Sequence, residues 1–245
     1  MSHRFFLNYP PSAELVVLEG DQAHHAIHVM RFTSGHEVVL FDGSGKEYRA
    51  VIEEVAKKRL SLKILDSTML SRSVSTQLTM AVALPKGDRQ KFMVEKLVEL
   101  GVHRLVPLKT NRSVAVANEK VVQRLRKQVI EASKQCGRNL LMEIGEEQSL
   151  NQFSESVDSF DVKLIADPYQ GRPISQLNND GSVTETREIA VAVGPEGGFD
   201  ESEKNLTREL GFEPIRLGPT ILRVETAALA IAAILGIGIQ DRNES

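Results

Sequence analysis

The chain has 245 residues, 41% hydrophobic and 26% charged, which suits a globular protein of one large domain or a large and a small one. Its single cysteine, Cys136, excludes an internal disulfide and a cysteine cluster for zinc, and fits a reducing cytoplasm. The formal net charge of −3 conceals a segregation that bears on partners: residues 86–138 carry thirteen basic and five acidic side chains, residues 143–214 five basic and sixteen acidic.

The first 73 residues read as a small β-rich unit. Strands are predicted at Arg4–Leu7, Leu15–Leu18, Glu37–Phe41, Tyr48–Val55 and Leu60–Leu65, where β-branched and aromatic residues run between turn signals. Asp42-Gly43-Ser44-Gly45 is a turn between two of them. A short helix is expected over Asp21–Val29, with Asp21 as its cap. Short strands this closely spaced suggest a small barrel, an architecture often used to hold RNA. Ser67–Thr76 is polar and aperiodic and reads as a linker.

From Leu78 onward strands and helices alternate. Strands are predicted at Leu78–Leu84, Arg104–Leu108, Val162–Ala166, Ile189–Val193 and Pro214–Leu217. Helices are predicted at Asp88–Leu100, with Phe92, Leu97, Val98 and Leu100 buried, and at Val121–Cys136, Asp200–Leu210 and Val224–Ile237. The alternation argues an α/β fold with a mostly parallel sheet covered on both faces. The longest apolar stretch, Ala227–Ile239, is too short and too rich in alanine to span a bilayer. It reads as a buried helix whose small residues admit another helix closely. Met1-Ser2-His3-Arg4 opens no secretory signal, so a cytoplasmic chain without membrane contact is expected.

Two glycine-proline loops interrupt this pattern, Gly194-Pro195-Glu196-Gly197-Gly198-Phe199 and Leu217-Gly218-Pro219-Thr220-Ile221-Leu222-Arg223-Val224-Glu225-Thr226-Ala227. Each follows a strand and precedes a helix, the position where α/β sheets bind small ligands. Glycine lets backbone approach a ligand, and proline limits the entropy lost on binding. A single such loop is more often a tight turn, but two matched loops favour one preformed pocket. The helix after the first loop opens at Asp200, with Glu201 and Glu203 in its first turn, so protein carboxylates occupy the end that a phosphate would need. With Glu196 also in the loop, a neutral or cationic ligand fits better.

The basic block is a candidate polyanion footprint, against the more common reading of a solvated helix face. Arg124, Lys127, Lys134 and Arg138 fall near one face at helical spacing, which favours nucleic acid. His24 and His28 stand at a metal-capable i, i+4 spacing, but with no obvious third ligand no metal is expected. Structural histidines or RNA contacts are the better readings. Arg31 is either a phosphate contact or a cation at a helix C-terminus. Glu95 and Glu99 share a face with Arg89 and Lys96 near them, the pattern of a salt-bridged surface.

The two loops, with Leu217–Ala228, resemble the cofactor loops of SPOUT-class methyltransferases. Taken with His24–Arg31, Lys86–Arg89, Glu95–Val102, Arg112-Ser113 and Glu131–Arg138, almost the full length resembles the RsmE family, bacterial methyltransferases of a uridine ring nitrogen in small-subunit ribosomal RNA. Met30 stands where leucine is usual, a conservative departure. The resemblance implies a PUA-like β-barrel over residues 1–73 that binds RNA and a SPOUT domain over 74–245 with a C-terminal trefoil knot. It further implies S-adenosylmethionine as cofactor, a homodimer, and ribosomal RNA or the small subunit as partner. The implied cofactor contacts are Ala166 and Asp167; Gly194, Pro195, Glu196, Gly197 and Gly198; and Leu217, Gly218, Leu222, Thr226 and Ala227. RNA contacts are expected from Arg4, His28, Arg31, Lys86, Arg89, Arg112, Arg124 and Arg138.

Methylating a uridine ring nitrogen requires loss of a weakly acidic imide proton and spreads charge onto the carbonyl oxygens. Arg223 is the candidate to stabilise that anion, against the reading of a surface charge. Glu225 is the candidate to position it or accept the proton, against the reading of a favourable acid in the first turn of a helix. The rival function is a non-catalytic RNA-binding ribosome assembly factor, which would have no use for two rigid loops in its sheet. A small-molecule methyltransferase would leave the barrel and the basic block without a role.

Overall fold

The computed structural model describes residues 3–70, 76–179 and 188–237. Contacts divide the chain into two units, Met1–Ser73 with Ser133–Leu141, and Val74–Ala132 with Met142–Ser245.

The first unit contains β1 (Arg4–Phe6), β2 (Leu15–Glu19), α1 (Gly20–His24), β3 (Glu37–Phe41), β4 (Lys46–Val55) and β5 (Arg59–Met69). They form one mixed sheet in the order β1-β3-β4-β5-β2, parallel at β1–β3 and antiparallel elsewhere. Alternation in β4 turns Tyr48, Ala50 and Ile52 inward, onto Phe5, Leu40, Leu60 and Leu62. The ladder is open between β1 and β2, a half-barrel. There the Gln22 amide of α1 acts as a strand partner for β1, accepting from Phe6 N at 2.8 Å and donating to Phe6 O at 2.7 Å. The helix continues as a π-helical turn over His25–Val29.

Two sequence expectations are corrected here. Glu19 holds the cap position of α1 without a side-chain hydrogen bond, and Asp21 lies inside the first turn, where its charge suits the helix dipole. The expected linker begins too early, because Ser67–Met69 pair with Lys46–Tyr48 in the β4–β5 ladder. Residues 71–75 lie outside the described residues. Asn139 belongs to this unit and is fully buried; its amide donates to Gly45 O at 2.9 Å and to Leu70 O.

The second unit contains β6 (Gln77–Val82), α2 (Asp88–Glu99), β7 (Arg104–Lys109), the greater part of α3 (Glu119–Cys136), β8 (Glu143–Ile144), β9 (Gln148–Ser149), α4 (Leu150–Ser156), β10 (Val162–Ala166), β11 (Arg172–Pro173), α5 (Ser175–Asn179), β12 (Glu188–Val193), α6 (Glu201–Glu209), β13 (Glu213–Arg216) and α7 (Val224–Ala232). Its sheet runs β11-β13-β10-β12-β6-β7-β8, with β9 also on β7, and every described pairing is parallel. The central strands β6 and β12 are buried at every position after the first, as a sheet covered on both faces requires.

One face packs Phe153, Val157, Phe199 and Phe212 onto Ala81, Val106, Ile165 and Ala192. On α2 the buried positions are Gln90, Met93, Val94, Leu97 and Val98; Phe92 lies off this arc and is 48% exposed, against expectation. Leu100 is only half-buried. The alanine-rich α7 contacts α2, β6 and β12, and continues as a π-helical turn over Ala233–Ile237. A Cβ on Gly236 would sit 2.8 Å from Leu100 O, so small residues do admit a close neighbour, within the same unit. Residues 238–239 of the predicted apolar stretch lie outside the described residues. No helix among the described residues is long and apolar enough to cross a membrane.

Candidate functional site

Because β13, β10 and β12 are adjacent and parallel, the loops that follow them emerge at one edge of the sheet. Together they enclose a cleft of about 220 Å³. Ala166, Asp167, the run Gly194–Gly198, Leu217, Gly218, Leu222 and Ala227 all line it. So do Pro168, Tyr169, Asp200, Glu201, Lys204, Thr220 and Ile221, none of which was named as a contact from the sequence.

The loop after β12 is set by its own sequence and by two residues that follow β7. Asp200 caps α6 by accepting from Glu203 N at 2.9 Å, and Glu203 returns a bond to Asp200 N at 2.9 Å, the expected capping box. Asn111 ties into both, its backbone N–H to Glu203 and its amide to Asp200, each at 2.8 Å. Hydrogen bonds from the Ser202 hydroxyl, the Glu203 amide and Asn111 hold the Asp200 carboxyl well below its usual range. Arg112 Nη1 donates to Gly197 O at 2.6 Å, and Arg112 lines the cleft itself. Gly194 must be glycine, since a Cβ there would lie 2.9 Å from the Phe199 ring.

The loop after β10 turns on Asp167, whose buried carboxylate accepts from Tyr169 N at 2.8 Å and Gln170 N at 3.2 Å. Its other oxygen lies 3.2 Å from Lys204 Nζ. Burial opposes the Lys204 charge, but the Asp167 and Glu201 carboxylates outweigh it and push that ammonium up. This lysine is therefore neutralised locally.

The loop after β13 leads into α7, with Arg223 at the cap position. Arg223 is exposed, its guanidinium makes no hydrogen bond or ion pair among the described residues, and it is not part of the cleft lining between Leu222 and Val224. Glu225 is 7% exposed and does not pair with Arg223: its Oε2 lies 3.6 Å from Arg89 Nη1 and accepts no hydrogen bond from the described residues. The expectation that Glu225 positions Arg223 is thereby corrected. Thr226 points outward and does not line the cleft.

The arginines expected to meet RNA separate into two groups. The Arg4 side chain is buried, paired with Glu47 and 4.9 Å from the centre of the Phe41 ring, so it presents no exposed charge to a phosphate. Arg138 is also buried, beyond the end of α3 because Gly137 stops the helix at φ +82; Nε donates to Leu140 O at 2.6 Å and desolvation pushes its pKa down to about 10. Neither belongs to an exposed basic face. Arg31, at a left-handed φ of 55°, and His28, Lys86 and Arg124 are exposed, although Arg124 also donates to Gln90. The His24 and His28 rings are 4.6 Å apart, and among the described residues no group of three or more His, Cys, Asp or Glu could hold a metal. Arg89 pairs with Glu196 at 3.1 Å.

The cleft thus offers loop backbone, apolar side chains and several carboxylates, with its lysine already paired and the α6 N-terminus already capped. A cation with a flat neutral ring system matches that donor set, as S-adenosylmethionine does; a phosphate does not.

Known proteins agree. Residues 72–236 match the model of an RNA methyltransferase domain, and residues 18–65 that of an RNA methyltransferase PUA domain. A Bacillus subtilis ribosomal RNA small subunit methyltransferase E is 29% identical over 225 residues, 89% of this chain and 88% of the relative. A putative methyltransferase from Legionella pneumophila, solved with bound S-adenosylmethionine, superposes with a TM-score of 0.87 at 32% identity, covering 97% of this chain and 98% of that one. The Neisseria gonorrhoeae ribosomal RNA small subunit methyltransferase E, also bound to S-adenosyl methionine, gives 0.83 at 30% identity over 95% and 96%. With the domain match alone covering most of its length, this chain belongs to the RNA methyltransferase family, with a PUA-like N-terminal unit and a SPOUT-type parallel sheet.

Proposed function

We propose that the chain transfers a methyl group from S-adenosylmethionine to N3 of a uridine in small-subunit (16S) ribosomal RNA. The observation that carries this reading is the cleft built by three adjacent strand-end loops, in a chain similar over nearly its whole length to proteins solved with that cofactor. The cofactor, when bound, supplies an electrophilic methyl on a sulfonium. Loops 194–198 and 217–222 would hold it, with the Asp167 and Glu196 carboxylates in the same lining. Arg223, uncommitted beside the cleft, would stabilise the charge that develops on the uracil carbonyls. Glu225 Oε2, buried without a hydrogen-bond donor, is the candidate acceptor for the imide proton.

The same reading assigns residues 1–73 to RNA binding and 74–245 to a knotted SPOUT domain, working as a cytoplasmic homodimer. Tyr169 and Ile221, 74% and 65% exposed although they line the cleft, suit cover by a second copy or by substrate. Methylation at N3 removes a Watson–Crick donor and arrests reverse transcription. Ribosomal RNA from cells with and without the gene should therefore differ by one primer-extension stop at a uridine in the small subunit; matching profiles would count against the proposal.

Gly198 takes φ +66 with open space around its missing Cβ, so its requirement is conformational. Gly198→Val is expected to abolish calorimetric binding of S-adenosylmethionine in a protein that still unfolds cooperatively. Unchanged affinity would remove this loop from the cofactor site.

For RNA, the exposed cations are the relevant set. Replacing Arg31, Lys86 and Lys127 together by alanine should weaken binding and flatten its salt dependence by about 0.7 per lost phosphate contact, roughly 2 in all. A wild-type slope and affinity would make these cations only a solvated surface.

A further inference from the structure

We infer that Arg89 is a positioning residue that holds the two cofactor loops in register, an inference that rests on the cofactor reading above. Arg89 lies in the first turn of α2, where a cation is disfavoured by the helix dipole. Two carboxylates compensate. Nη1 is 3.1 Å from Glu196 Oε1, in the loop after β12, and 3.6 Å from Glu225 Oε2, in the helix that continues the loop after β13. The strands carrying those loops are not neighbours, because β10 lies between them. The sheet ladder therefore cannot couple one loop directly to the other, whereas this guanidinium links the first loop to the helix that continues the second.

The two ends of the brace differ. Glu225 is almost fully buried on α7, which packs along α2, so that end is fixed by the core. Glu196 has a side chain 45% exposed on the cleft lining, so that end belongs to the adjustable loop. Arg89 itself is not part of the lining and acts through Glu196. Its removal would release the loop and leave the Glu225 carboxylate buried without its cation, a more damaging change than neutralising both partners. Arg89 was expected to contact RNA, but its Nη1 already faces these acids.

The test is calorimetric titration of wild type, Arg89→Ala, Arg89→Lys, Glu196→Gln and the Arg89→Ala/Glu196→Gln pair with S-adenosylmethionine, alongside RNA binding by each. Arg89→Ala should weaken cofactor binding roughly tenfold, the scale for losing a residue that orients direct ligands. Arg89→Lys, which keeps the charge but not the planar fork, should fall between it and wild type, and it serves as the probe if the alanine variant does not fold. Glu196→Gln should cost less in the Arg89→Ala background than alone, and RNA affinity should hold throughout. Wild-type cofactor affinity in Arg89→Ala, or additive effects in the pair, would overturn the inference while leaving the cofactor site standing. A wild-type protein that does not bind S-adenosylmethionine would overturn both.

Discussion

Arg223→Lys is expected to slow methyl transfer on the order of a hundredfold at saturating RNA and cofactor, the scale for losing a preorganised transition-state donor. Arg223 sits at the cap of α7, between Leu222 and Val224 of the cleft lining, yet no described residue engages its guanidinium. On the proposed function, its uncommitted guanidinium would meet a uracil oxygen as charge develops there. Lysine preserves the charge but not the paired, planar donors. Affinities for cofactor and RNA should change far less, because the interaction strengthens only in the transition state. Single-turnover kinetics separate these effects. A near-normal chemical step would shift the role to Arg112, the arginine that does line the cleft.

Gly171→Ala should be the most damaging glycine-to-alanine change among the described residues of the second unit. Gly171 has φ +106, and a Cβ there would fall 2.2 Å from Pro214 O and 2.4 Å from Pro214 C. Those atoms are backbone of β13, which pairs with β11 on one side and β10 on the other and then enters the second cofactor loop. Neither side can yield without breaking a ladder. Combined overpacking and backbone strain should cost about 3 kcal/mol. In a chain of this size that corresponds to a melting temperature roughly 6–12 °C lower. Cofactor affinity should fall with it, since β13 aims Leu217 and Gly218. A melting curve superimposed on wild type would show that β13 does not hold this register against Gly171.

What the sequence reveals depends on how local the cause is. The capping box at Asp200 and Glu203 uses residues three apart and is legible without a structure. So are the strand-loop-helix junctions, because each is a change of hydrophobic period marked by glycine and proline. Ser149 and Gln152 form another capping box, opening α4, with the same three-residue spacing in the sequence. The two-residue strands β8, β9 and β11 are too short to show any period.

Partners brought together by the fold are another matter. A charge pattern cannot reveal that Arg4 is buried against Glu47, nor that Arg89 serves Glu196 and Glu225. Arg138 leaves the helical face for a reason that the sequence does contain. Gly137 in the left-handed region ends α3, so helical spacing cannot be carried across it. The order β13-β10-β12-β6 is equally hidden, because alternation of strands and helices gives neighbours in the chain and not in the sheet. Only that order places Ala166 and Asp167 between the two glycine-proline loops.

The central claim is catalysis at a uridine ring nitrogen, and its most direct measurement uses purified protein with methyl-labelled S-adenosylmethionine and unmodified small-subunit RNA or small subunits. After digestion to nucleosides, the label should appear as 3-methyluridine, and Gly198→Val should give none. Label on a ribose, on another base or nowhere, from a protein that binds both the RNA and the cofactor, would contradict the account.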